Sequence, residues 1–174
     1  DHFLGRVKVS HAVSLLHFYN GSLLQNLLYN LKYKNQPQIG VSLGEMIGSK
    51  LNKTSWIHDV DVSIPIPIHE RKLIRRKYNQ SERIASGIHL TSGIRSLNTT
   101  LVKSKNTPSQ TNLGRQERLD NVIGSFTVLE QPNILNKHIL LVDDVLTTGA
   151  TIGSCAEAMI SAGGRVSIAT LATA

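Results

Sequence analysis

Apolar and polar positions along this chain follow two periods, and the switches between them outline its elements. Leu23, Leu24, Leu27, Leu28 and Leu31 recur at helical spacing with polar residues between them, which predicts an amphipathic helix over 21–34 that Pro37 ends. A second helix is expected over 38–51, with Ile39, Leu43, Met46, Ile47 and Leu51 inward, although its glycines are poor helix formers. Val60, Val62, Ile64 and Ile66 then alternate with Asp61, Ser63, Pro65 and Pro67, a strand pattern that the Pro-Ile-Pro segment stops. Ile84, Ala85, Ile88 and Leu90 carry a helix toward Gly93, and strand composition returns at 99–103 and 125–129. A strand over 138–143, a helix over 150–162 stopped by Gly163-Gly164, and a strand over 165–172 complete the pattern. In the first 20 residues, Val7, Val9, Val13, Leu15, Phe18 and Tyr19 fit either a strand pair or an extended edge.

Strands at 60–66, 99–103, 138–143 and 165–172 separated by helical runs imply β-α-β units. The expected fold is therefore α/β, a three-layer, mainly parallel sheet with helices on both faces. The N-terminal helices cover one face or form a small hood. One domain over 1–174 is expected, with 1–56 as its N-terminal helical part and 57–174 as its core.

Two stretches break the rhythm. From 103 to 124 the apolar period disappears, and a structureless run of that length usually serves as a lid or is disordered. Lys103, Lys105, Arg115 and Arg118 would be its cations, and 113–119 could form a short helix within it. The other stretch, 69–83, concentrates Arg71, Lys72, Arg75, Arg76, Lys77 and Arg83. A basic run is ordinarily a solvated helix face. This one directly follows a strand end, and Tyr78-Asn79-Gln80-Ser81-Glu82 supplies helix-start chemistry, so a strand-to-helix loop binding an anion is expected there.

Composition sharpens this picture only in places. The net charge of +7 favours anionic partners, whether phosphorylated metabolites, pyrophosphate or nucleic acid. An aromatic content of 5% supplies base stacking poorly. The single cysteine, Cys155, excludes a disulfide framework and is expected to be buried packing. The histidines lack metal-ligand spacing, and His69, the one near the basic run, reads as a solvated loop residue. The N-terminus lacks a signal layout and no apolar run spans a bilayer, so a cytoplasmic location is expected. The chain does not begin with Met, which is compatible with a piece of a longer protein.

The densest chemistry lies at 139–151, Ile-Leu-Leu-Val-Asp-Asp-Val-Leu-Thr-Thr-Gly-Ala-Thr. Ile139 to Val142 fits a strand buried on both faces, which puts Asp143 and Asp144 at the sheet edge where open α/β folds bind ligands. Val145 and the turn Thr147-Thr148-Gly149-Ala150-Thr151 lead into a helix start, where unpaired amides favour an anion. Two carboxylates suit vicinal sugar hydroxyls, Gly149 admits a phosphate close to the backbone, and the threonines add donors. A phosphorylated ribose is the occupant these groups fit. A phospho-acceptor receiver is excluded because Glu157 is the sole acid after Asp144, and neither Gly-Lys-Ser/Thr nor Gly-x-Gly-x-x-Gly occurs.

The 139–151 segment resembles the phosphoribosyl-pyrophosphate signature of type I phosphoribosyltransferases. With Leu31-Lys32-Tyr33-Lys34, Ile64-Pro65-Ile66-Pro67, Arg75 to Glu82 and Thr107 to Val122, the chain is similar to the ComF family of competence-associated, phosphoribosyltransferase-like proteins. The resemblance implies that Asp143 and Asp144 hold the ribose hydroxyls as the catalytic pair. It places the 5-phosphate against Val145, Thr147, Thr148, Gly149, Ala150 and Thr151, and pyrophosphate against Arg71, Arg75, Arg76 and Lys77. It also implies Mg²⁺ chelated by the substrate rather than by a protein cluster, with Asp143 available to it, and a lid carrying Lys103, Lys105, Arg115 and Arg118. Two departures stand out. The four-cysteine zinc ribbon common in the family is not in this sequence, by natural loss or by truncation, and Lys77 replaces the glycine of the usual Arg-Gly-aromatic-Asn-Gln, which removes backbone freedom there. Two readings of function follow. One is a phosphoribosyltransferase of unknown acceptor, linked to DNA uptake, whose relatives often form homodimers. The other is a non-catalytic ribose-phosphate sensor that binds single-stranded nucleic acid through its basic loops; the partners implied are single-stranded DNA or DNA-uptake proteins.

Overall fold

The computed structural model describes residues 7–19, 21–103 and 126–174. Its main sheet has five strands: β1 (Ala12–His17), β2 (Val62–Pro65), β3 (Arg95–Ser96), β6 (His138–Leu146) and β7 (Arg165–Thr173). They lie in the order β1-β7-β6-β2-β3, and every neighbouring pair is parallel. The mainly parallel α/β sheet is thus present. The N-terminal segment supplies an edge strand beside β7. The stretch expected at 99–103 departs from expectation: β4 (Leu101–Lys103) pairs antiparallel with β5 (Phe126–Val128) in a separate ribbon, and β3 takes the sheet edge instead. Composition cannot separate these outcomes, because a short apolar run pairs with whatever strand the tertiary fold presents.

The helices are α1 (Leu23–Tyr33), α2 (Pro37–Leu51), α3 (Glu70–Arg76), α4 (Gln80–Ser92) and α5 (Ala150–Ser161). On one face of the sheet, Leu28 and Leu31 of α1, Ile47 and Leu51 of α2 and Ile84 and Ile88 of α4 pack against Leu140, Val142, Ala169 and Leu171. On the other face, Ile152, Cys155 and Met159 of α5 pack against Ile64, Ile139, Leu141 and Ile168. Cys155 is buried as expected. Pro37 does not merely end α1; it is the first residue of α2, where its missing N–H costs nothing. Leu23, Met46 and Leu90, expected inward, are exposed.

The glycines of α2 are contacts between helices rather than weak points. Gly40, Gly44 and Gly48 recur every fourth residue and form a stripe against α4. A Cβ at Gly44 would overlap the carbonyl oxygen of Ile84, and one at Gly87 of α4 would overlap that of Val41. The two backbones touch, and this contact fixes where α4 begins over the sheet.

Chain direction then defines a crevice. From β2 the chain runs through α3 and then α4, which packs on one face, to β3; from β6 it runs through α5, on the opposite face, to β7. Strand order therefore grows in opposite directions from the β2–β6 pair. In open α/β sheets, that reversal opens a ligand crevice beyond the carboxyl ends of the two strands.

Candidate functional site

At the crevice, β2 stops while β6 continues. The β2–β6 ladder ends where Ile66 N–H donates to the Val142 carbonyl at 2.9 Å, and Pro65 and Pro67 prevent its extension. Strand β6 runs on to Leu146 along β7 alone, pairing Asp143 with Thr170 and Val145 with Ala172. The strand thus runs past its expected end at 143 and holds both aspartates, on an edge left open by β2.

Their environments differ. Asp144 is 6% exposed; its Oδ2 lies 2.6 Å from Lys32 Nζ, and its Oδ1 accepts the Val145 N–H at 2.7 Å. Asp143 is half-buried, and its Oδ1 accepts both the Ser81 hydroxyl, at 3.0 Å, and the Asp144 N–H, at 2.9 Å. Burial first and the neighbouring Asp144 charge second push the Asp143 carboxyl up to about 7, against the opposing pull of these hydrogen bonds and Lys32. An added cation or hydroxyl donor would stabilise its ionised form.

Thr147, Thr148, Gly149, Ala150 and Thr151 line a small pocket together with Asp143, Val145, Leu146 and Ile152. Gly149 has φ +75° and starts α5 without a capping side chain, so the turn presents amides at a helix N-terminus. The Val145 amide is not among the free donors, since Asp144 takes it.

The basic segment is a helix rather than the expected open loop. His69 is its N-cap, accepting the Arg71 N–H at Nδ1 (3.2 Å), and Glu70 in the first turn and Arg75 and Arg76 in the last suit the helix dipole. Asn79 caps α4 through the Ser81 N–H and donates to the Ile66 carbonyl at 3.0 Å, so the helix-start chemistry expected at 78–82 is present and is tied to the end of β2. The cations separate into two groups. Arg71 and Lys77 are exposed, whereas Arg76 is half-buried, donates to Gln80 at 2.9 Å and leaves its Nε buried without an acceptor among the described residues. Arg75 and Arg76 also lie over the Tyr33 ring, at 5.9 and 5.4 Å.

Lys72, part of the basic run expected to bind an anion, joins them. Burial, and then the charges of Arg76, Arg75 and Lys32, lower its affinity for a proton. Lys103 is lowered by burial and then by Lys72, while Cys155 and Asp143 oppose the shift. Cations that depress one another mark surplus positive charge that a polyanion would relieve. Lys105, Arg115, Arg118 and the short helix expected at 113–119 lie outside the described residues.

Lys77, at the position of the family glycine, has φ +68° and closes α3 by donating its N–H to the Leu73 carbonyl at 2.7 Å. The left-handed geometry a glycine would adopt is therefore retained, at a strain of about 1 kcal/mol for a residue bearing a Cβ. Lys77→Gly is expected to raise stability by up to about 1 kcal/mol in urea unfolding, less the greater entropy of glycine in the unfolded chain.

Lys32 and Ser81 are contacts missed from sequence. Lys32 did lie in a segment that carried the family resemblance, but only the fold shows its partner. The Tyr78 hydroxyl, buried, donates to the Leu31 carbonyl and holds the end of α1 beside the site.

Comparison with known proteins agrees with this geometry. Residues 83–174, more than half of the chain, match the phosphoribosyl transferase domain. Competence protein F of Haemophilus influenzae is 26% identical over 138 residues, covering 77% of this chain and 60% of that protein. The DNA utilization proteins YhgH of Escherichia coli O6:H1 and Salmonella typhimurium are 26% and 25% identical over 143 residues, covering 80% of this chain. The chain spans 62% of the length of each of these YhgH relatives. With its parallel sheet, its Asp-Asp strand and its Thr/Gly turn, the chain belongs to the phosphoribosyl transferase domain family, and its likeness is to the competence-associated, ComF members of it.

Proposed function

We propose that this protein binds phosphoribosyl pyrophosphate and transfers its phosphoribosyl group. The observation that carries the reading is the convergence, in one crevice, of a Thr/Gly anion turn, a half-buried carboxylate and cations that depress one another. The 5-phosphate sits in the turn 147–151, the ribose hydroxyls donate to Asp143 and Asp144, and the diphosphate faces Lys72, Arg76 and Lys103. Bond breaking takes the electron pair of the anomeric C–O bond onto the diphosphate and leaves an oxocarbenium-like sugar for the acceptor. The cations stabilise the charge as it develops on the leaving group. Two adjacent carboxylates suit a metal that arrives already chelated, and Mg²⁺ carried by the diphosphate would supply further neutralisation. Binding to the folded state raises stability by about 2.7 kcal/mol at a ligand concentration one hundred times Kd. Phosphoribosyl pyrophosphate with Mg²⁺ should accordingly raise the unfolding midpoint, and an unchanged midpoint at millimolar ligand overturns the proposal.

A second reading rests on a separate observation. Tyr29 and Tyr33 are each 53% exposed, with Lys34 5.9 Å over the first ring and Arg75 and Arg76 over the second. Exposed rings beside cations are what stacked bases and a phosphate backbone require, so this surface suits single-stranded nucleic acid. A labelled single strand should bind with a steep salt dependence and lose affinity on Tyr33→Ala. Undetectable binding at low salt rejects this reading.

A further inference from the structure

We propose that Lys32 determines the specificity of the ribose-phosphate site: its ammonium holds Asp144 in the free protein and yields that carboxylate only to a ligand carrying a diphosphate to receive the ammonium. The inference rests on the reading above and concerns which sugar phosphates the site accepts.

Both oxygens of Asp144 are engaged, Oδ2 by Lys32 at 2.6 Å and Oδ1 by the Val145 amide at 2.7 Å. Oδ2 is buried and makes no hydrogen bond among the described residues, with Lys32 Nζ against it, so a sugar hydroxyl reaches it only when a neighbour moves. The amide is fixed by the strand, which leaves the ammonium as the group that moves. Lys32 is not a freely wandering surface lysine. It lies in the last turn of α1, where Leu28 and Leu31 are buried and the buried Tyr78 hydroxyl donates to the Leu31 carbonyl.

The Lys32 side chain is 24% exposed, so an ammonium turned away from Asp144 faces water and the cations of the crevice. Lys32 is among the charges that depress Lys72, and it also bears on Asp143, so it stands between the acidic and basic halves of the crevice. Displaced alone, it gives up a carboxylate for water and like charges and gains no anion. Displaced by a ligand with a diphosphate at the anomeric carbon, it gains an anion as it loses one. Ribose 5-phosphate places its only phosphate at the 147–151 turn and provides no such exchange. The same holds for a nucleoside monophosphate, so Lys32 returning to Asp144 would also favour product release. Selectivity then comes from an unfavourable state imposed on the wrong ligand as much as from contacts to the right one.

The test is calorimetric titration, with Mg²⁺, of phosphoribosyl pyrophosphate and of ribose 5-phosphate into the wild type and Lys32→Met. In the variant, ribose 5-phosphate should bind about tenfold tighter and phosphoribosyl pyrophosphate about tenfold weaker, narrowing their ratio about 100-fold. A purely structural Lys32 shifts both ligands by the same factor, and an unchanged ratio overturns the inference while leaving the ribose-phosphate reading intact. A wild type that binds neither ligand overturns both. Lys32→Gln, which keeps a neutral donor for the buried carboxylate, takes the same test with the same outcomes if the methionine variant does not fold.

Discussion

Replacing Gly44 by alanine is expected to destabilise the protein by about 3 kcal/mol or more, at or beyond the upper end for overpacked cores. The reason is the identity of the atom that the new methyl group meets. Its Cβ would overlap the Ile84 carbonyl oxygen, and it would stand 2.9 Å from the Ile84 carbonyl carbon and 3.0 Å from Gly87 Cα. All three are backbone atoms of α4, so no side chain can rotate away. Relief requires the two helices to separate, which opens the core around Ile47, Ile84 and Ile88. Gly87→Ala should behave similarly, since its Cβ would overlap the Val41 carbonyl oxygen and lie 2.7 Å from the Glu45 amide nitrogen. Gly153→Ala in α5 is the control. Among the described residues its Cβ would meet only Val7 Cγ2, at 3.9 Å, and alanine should gain up to about 1 kcal/mol in a helix interior. Urea unfolding of the three variants checks this, and a wild-type midpoint for Gly44→Ala would mean that the helices are not in backbone contact.

The other large effect falls on the ligand. Asp143→Asn should weaken phosphoribosyl pyrophosphate binding about 100-fold, because each charge-assisted hydrogen bond contributes about 1.5–3 kcal/mol and tenfold in affinity is about 1.4 kcal/mol. Asp144→Asn should lose a similar factor and still fold. The side chains of this ion pair are unequally exposed, Lys32 24% and Asp144 9%. Removing the Asp144 charge releases an ammonium that reaches water, whereas removing Lys32 leaves a buried carboxylate uncompensated, which is the costlier direction. Calorimetry on both variants, with circular dichroism to establish folding, gives the result. Affinity unchanged in Asp143→Asn would remove this carboxylate from the site.

What could be read from the sequence was what is decided locally. The apolar run of β6, the Asp143-Asp144 pair, the Thr/Gly turn and the start of α4 at Asn79 are each set by neighbours in the chain, and all lie near their expected positions. The glycines of α2 misled because their reason lies across space, on α4. Leu101–Lys103 has the composition of a sheet strand, and only its partner, β5, places it in a ribbon. The spatial partners of Lys32 and Lys72 were hidden for the same cause. Nothing near either residue in sequence indicates that the first meets Asp144 or that the second crowds Lys103. Lys77 shows a different limit: the missing glycine was evident, but not that a lysine holds the left-handed geometry in its place.

The most direct measurement is the titration of phosphoribosyl pyrophosphate with Mg²⁺ into the wild-type chain by calorimetry, alongside Asp143→Asn. A single-site isotherm in the wild type that falls to near baseline in the variant is the predicted result. No saturable heat in a folded wild type, or an isotherm that survives the substitution unchanged, contradicts the assignment of this crevice as the ribose-phosphate site.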